Sequence, residues 1–115
     1  MKYLFIFNDS PYGSQRAYNG LRLALALSRK GIPIRVFLLG DGVTCALVGP
    51  APANPEYYPQ EMLQAVADAK NEIAACQTCM DARGLMQSSL IPAVRQGTLD
   101  QLVEWTETAE KVLSF

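Results

Sequence analysis

The run "KYLFIF", residues 2–7, decides the fold class. From Tyr3 onward it is apolar and aromatic without alternation. Successive side chains of a strand point to opposite faces, so an unbroken apolar strand needs cover on both sides, the pattern of a parallel sheet between helical layers. "IPIRVFLLG", residues 32–40, is a second strand of this kind, ending at Gly40. Between them the turn "NDSPYGS" (8–14) leads into a helix over 15–30, with Ser14 placed to cap it. Ala17, Tyr18, Leu21, Ala24, Leu25 and Ser28 share one face of that helix. Arg29 and Lys30 suit its negative end, and Gly31 terminates it.

Working outward, "DGVTCAL" (41–47) begins a short helix, and "VGPAPANPEYYP" (48–59), with prolines at 50, 52, 55 and 59, is a surface loop or flap. Residues 60–70 repeat apolar side chains at Met62, Leu63, Val66, Ala67 and Ala69, a helix. Residues 72–76 form a third strand, "TCMDARGL" (78–85) one or two helical turns, and "IPAVRQG" (91–97) a fourth strand or extended segment. Thr98 and Gln101 make a capping box before a helix whose Leu99, Leu102, Val103, Thr106 and Ala109 share a face; Trp105 is expected at the helix edge or between subunits. "KVLSF" (111–115) closes the chain as a last strand. Strands alternating with helices imply right-handed crossovers, a parallel sheet and helices on both of its faces.

The 115 residues form one domain, and 50% hydrophobic content with 18% charge is that of a folded globular chain. So much apolar surface in a short chain also points to contact with further copies of itself. Ten basic and eleven acidic residues leave a net charge of -1, which gives no reason to expect nucleic acid or an anionic membrane as partner. The apolar runs are far shorter than the roughly 20 residues that span a bilayer, no signal peptide is recognisable, and the cytoplasm is the expected location. Thiols there are normally reduced. The chain has three cysteines and no histidine. Cys-His and Ser-His-Asp arrangements are thereby excluded, as is every zinc site that needs imidazole.

Ligand sites of open parallel sheets sit beyond the carboxyl ends of the strands. Three segments meet that description: "NDSPYGS", "GDGVTC" (40–45) and "CQTC" (76–79). Cys76, at a strand end facing the first turn of a helix, is placed to have its thiolate stabilised by backbone N–H groups. Arg83 would add positive charge and Asp81 would oppose it. A small buried residue closing a strand is the competing reading of Cys76. Two close thiols plus a remote Cys45 are too few for a closed metal site within one chain, so no metal and no cofactor are expected. Ser10, Tyr12 and Gly13 form a candidate binding loop, through backbone amides at the helix start. A plain turn with a helix cap explains the same residues, since neither GxGxxG nor a Walker lysine is present. Asp41 completes the candidate set from the second loop, and Tyr57 and Tyr58 line a site or interface or pack the flap onto its own domain.

In order along the chain, "SPYGS", "YNGLRLALAL", "VFLLGDGVTCAL", "YYPQEML", "ACQTCMDARG" and "GTLDQLVEWTETAEKVLSF" resemble the DsrE/DsrF-like family, most closely its small YchN-like branch. The resemblance implies a three-layer α/β/α domain with a five-stranded parallel sheet, assembled into homotrimers or homohexamers. In sulfur-relay members of that family, a cysteine eight residues before the glycine of an arginine-glycine pair accepts a sulfane sulfur as a persulfide. Gly84 marks that glycine here, and Cys76 holds the matching position. Cys79 has no counterpart in the relay members, while the YchN-like branch is similar in carrying both. Two functions follow as expectations. One is a sulfur carrier or sulfurtransferase-like protein working with donor and acceptor proteins, Cys76 taking the sulfur and Cys79 resolving or shielding it. The other is a non-enzymatic oligomeric redox-sensing or small-ligand-binding module that uses the Cys76/Cys79 pair.

Overall fold

Five strands, β1 (Tyr3–Phe7), β2 (Ile34–Leu38), β3 (Glu72–Cys76), β4 (Val94–Gly97) and β5 (Lys111–Ser114), form one sheet in the order β4-β3-β2-β1-β5. Every pairing is parallel. The computed structural model describes residues 2–49 and 58–115. Helices α1 (Arg16–Arg29), α2 (Pro59–Asp68), α3 (Gln77–Ala82) and α4 (Leu99–Thr108) connect the strands, with a 3₁₀ helix over Gly40–Ala46 after β2.

The unalternating strands are covered on both faces, as their sequences require. Phe5, Phe7, Val36 and Leu38 point toward α1 and α2, where Phe115 stacks on Phe7 with ring centroids 5.6 Å apart. Phe37 points to the opposite face and meets Trp105 of α4 edge-on at 6.0 Å. The chain steps β1 to β4 in one direction and returns through α4 to place β5 on the far side of β1. The architecture is therefore the three-layer α/β/α domain with a five-stranded parallel sheet.

Several expectations need correction. Helix α1 starts at Arg16 behind Gln15, and no side chain of the cap residue closes it. Ser14, one position further out, still accepts from the Arg16 N–H at 3.3 Å as the sequence suggests, while its own hydroxyl proton goes to Asp9 Oδ2 at 3.0 Å. The α4 face is also different: Leu102 and Trp105 are buried, whereas Leu99 is 70% and Val103 48% exposed. Trp105 is thus a core residue of this chain, held between Phe37 and the Arg35 guanidinium, which lies 5.1 Å over its ring. Pro59 belongs to the first turn of α2, where its missing N–H costs nothing. The fourth strand is shortened to Val94–Gly97. Tyr57 and the other flap prolines lie outside the described residues.

The carboxyl end of the sheet is tied together by glycine. A Cβ on Gly42 would overlap the Phe7 carbonyl oxygen, so only glycine lets the 3₁₀ helix sit against the end of β1. Gly40 enters that helix at φ +53, in the left-handed region.

Candidate functional site

Cys76 is the last residue of β3 and the cap position of α3, buried with 7% of its surface exposed. The chain turns from strand to helix at this residue, which brings Thr78 and Cys79 back over its sulfur. The Thr78 hydroxyl lies 3.2 Å from Cys76 Sγ. Burial by itself pushes the Cys76 thiol up. Hydrogen bonds from the Thr78 hydroxyl, the Cys79 thiol and the backbone N–H groups of Cys79 and Thr78 outweigh burial, and the pKa falls below the ordinary thiol value. Cys79 shifts the other way. Burial raises it, and its bond to the Cys76 sulfur raises it further, against the Gly40 N–H and Arg83, which favour its thiolate. Thiolate character therefore collects on Cys76 while the shared proton stays on Cys79. Both are free thiols.

Arg83 fastens this pair to the second loop. Its Nε and Nη2 donate to Asp41 Oδ1 at 3.2 and 2.7 Å, and its Nη1 donates to the Cys79 carbonyl at 2.9 Å. The carboxylate and guanidinium are partly exposed, with side-chain exposures of 66% and 32%. Of the sequence-derived site residues, Cys76, Cys79, Asp41 and Arg83 thus form one connected group. Ser10, Tyr12 and Gly13 stand on the neighbouring loop. That loop joins the same 3₁₀ helix from its far end, where the Cys45 thiol donates to the Asp9 carbonyl at 3.7 Å. Burial, then the charges of Cys45 and Tyr58, raise the Tyr12 phenol. All three strand-end segments meet, with the 3₁₀ helix as the middle piece.

The matching family model spans residues 1–115 and is described as the DsrE/DsrF-like family. The chain belongs to the DsrE/DsrF-like family. It is 40% identical over 116 residues to Protein YchN of Escherichia coli (strain K12), covering 99% of this chain and 98% of that protein. The crystal structure of the E. coli ychN protein superposes with a TM-score of 0.93 at 39% identity, covering 100% of this chain and 99% of that one. More distant DsrE/DsrF-like relatives include a Protein TusC homolog of Vibrio parahaemolyticus, 31% identical over 96% of each chain. A Sulfurtransferase TusD homolog of Vibrio vulnificus is 31% identical over 100% of this chain and 98% of its own.

Two participants in this DsrE/DsrF-like site escaped the sequence reading. Thr78 lies inside the quoted "CQTC", and its signal was a hydroxyl two residues beyond the cysteine, within reach once a helix turns there. Gly40, whose N–H faces Cys79, was visible only as the end of a strand. Asp81, expected to oppose Arg83, is an exposed residue, and the carboxylate that engages Arg83 is Asp41. Cys45 is fully buried, and its thiol is pushed up to about 12, by burial first and the Asp9 charge second, so it stays protonated and inert near neutrality. Among the described residues, no three cysteine, aspartate or glutamate side chains group to hold a metal ion. No helix among them is long and apolar enough to cross a membrane.

Proposed function

We propose that the chain is a sulfur carrier of the sulfurtransferase type, acting in the cytoplasm between donor and acceptor proteins. The Cys76 thiolate attacks the outer sulfur of a donor persulfide, the donor leaves as its thiolate, and Cys76 holds the sulfane sulfur as a persulfide. An acceptor thiolate then attacks that outer sulfur, and Cys76 leaves again as the thiolate. Both steps need a cysteine that is nucleophilic and a stable leaving group at neutral pH. The single observation behind this reading is the seat of Cys76 at the turn from β3 into α3, where the Thr78 hydroxyl lies 3.2 Å from its sulfur and favours its thiolate. Membership of the DsrE/DsrF-like family and likeness to a protein named as a sulfurtransferase homolog support it. Self-assembly into homotrimers or homohexamers belongs to the same proposal, as does a binding role for Ser10, Tyr12, Gly13, Asp41 and Arg83 at the mouth of the site.

The test is to incubate reduced protein with a persulfide donor and map the added sulfur by mass spectrometry. The expected adduct is on Cys76 and disappears in Cys76→Ser. An adduct distribution unchanged by that substitution would sink the reading. A second reading, a dithiol-disulfide switch without transfer, is favoured by the placement of Cys79 three residues beyond Cys76, in the first turn of the helix that Cys76 caps. It requires oxidised and reduced protein to differ in assembly or ligand affinity.

A further inference from the structure

The mutual placement of Cys76 and Cys79 allows a reaction that a simple carrier does not need. We propose that Cys79 discharges the Cys76 persulfide from within the chain, releasing hydrosulfide and leaving a Cys76–Cys79 disulfide for a dithiol reductant to reopen. The step rests on persulfide formation at Cys76, as proposed above.

The balance is closed by groups already in place. Thiol Cys79-SH and the anion Cys76-S-S⁻ are the starting pair. The Cys79 proton passes to the outer sulfur, the Cys79 sulfur attacks Cys76 Sγ, and the bond between Sγ and the outer sulfur breaks. Hydrosulfide leaves with that electron pair and the Cys79 proton. The sulfane sulfur is reduced by two electrons, and the two thiols are oxidised to the disulfide. One negative charge stands on each side of the step.

Four observations carry the assignment. Cys76 is the cap of α3 and Cys79 stands three residues on in its first turn, so the helix start brings the two thiols to the same side. Cys79 is the member of the pair that retains its proton, which is the one the departing sulfur needs. As that proton leaves, the Gly40 N–H and the Arg83 guanidinium are in position to stabilise the Cys79 sulfur, and Arg83 is itself fixed by Asp41 at 2.7 Å. Finally, Cys76 is 7% exposed. A bulky acceptor must penetrate to reach a sulfur bound there, whereas the internal thiol is adjacent and hydrosulfide is small enough to escape.

Fully reduced protein is mixed with glutathione persulfide without oxygen, and free hydrosulfide and intact mass are followed together. Wild type is expected to release one hydrosulfide per disulfide formed between Cys76 and Cys79, a product read without any variant. Cys79→Ser is expected to keep one added sulfur on Cys76 and to release hydrosulfide at least about tenfold more slowly, since the resolving thiol is gone. Wild type that holds the persulfide on Cys76 as long as Cys79→Ser does, with no disulfide, overturns the proposal and leaves Cys76 standing as a carrier. If neither protein gains sulfur on Cys76, the carrier reading falls, and this step falls with it.

Discussion

The Thr78 hydroxyl sits 3.2 Å from the sulfur of Cys76 across the first turn of α3. Burial disfavours the thiolate, and this contact stands first among the bonds that overcome it. Replacing Thr78 with valine keeps the β-branched shape and removes the donor. The Cys76 pKa is expected to rise, and its reaction with iodoacetamide at neutral pH to slow several-fold. Hydrogen bonds to charged groups contribute about 1.5–3 kcal/mol, reduced here because Thr78 is exposed to solvent. Rates measured from pH 5 to pH 9 in a Cys79→Ser background, where Cys45 is fully buried and Cys76 is the less buried of the two remaining thiols, decide the matter. An unmoved profile would show that the backbone N–H groups suffice.

Why this contact escaped the sequence while the sheet did not is a question of range. The runs at Tyr3–Phe7 and Glu72–Cys76 announce themselves because an apolar strand that never alternates has a single stable environment. Thr98 likewise accepts from the Gln101 N–H at 3.2 Å, as the local spacing required. Cys76 was legible for the same reason: it stands where one period ends and another begins. The stripe on α4 was misassigned because spacing places Leu99 and Val103 on a face without saying what that face meets. Phe37 and Arg35 select Trp105 instead. Arg83 meeting Asp41, 42 positions away in sequence, follows only from packing the 3₁₀ helix beside α3.

That ion pair gives the second prediction. Arg83→Met removes the charge that favours a Cys79 thiolate and the donor to the Cys79 carbonyl. Because the pair is partly exposed, unfolding free energy should change by no more than about 1 kcal/mol. Cys79 alkylation at alkaline pH should slow, its pKa rising further. Arg83→Lys restores charge without the fork that holds Asp41 and the carbonyl together, and should recover only part of the rate. A large loss of stability with an unchanged Cys79 profile would recast Arg83 as a purely structural strut.

The outward side of α4 supplies the third. Leu99 and Val103, four residues apart, are 70% and 48% exposed, and Val112 of β5 is 43% exposed. Their burial against further copies would remove apolar surface from water at about 25 cal/mol per Å². The double variant Leu99→Glu, Val103→Glu should lower the mass seen by sedimentation. The stability of the isolated chain should shift by no more than about 0.5 kcal/mol per site, as expected of exposed positions. Wild type and variant sedimenting alike would remove this face from the assembly.

Cys45 gives the last, and its sign can be worked out. The thiol is fully buried, and its pKa is raised from 9.0 to about 12. The folded chain therefore keeps this proton over a range in which the unfolded chain has lost it. Stability owed to the neutral thiol is whole below pH 9 and is lost as pH climbs toward 12. At about 1.36 kcal/mol for each pKa unit the loss reaches roughly 4 kcal/mol across that window, about half of it by pH 10.5. Cys45→Val removes the titrating group and keeps an apolar side chain in the core. Urea unfolding of both proteins at about pH 8 and about pH 10.5 should show wild type falling more steeply, whatever their difference at the lower pH. Equal slopes would mean that the Cys45 thiol ionises in the folded chain as readily as in the unfolded one, and that the 3₁₀ helix does not seal it from water.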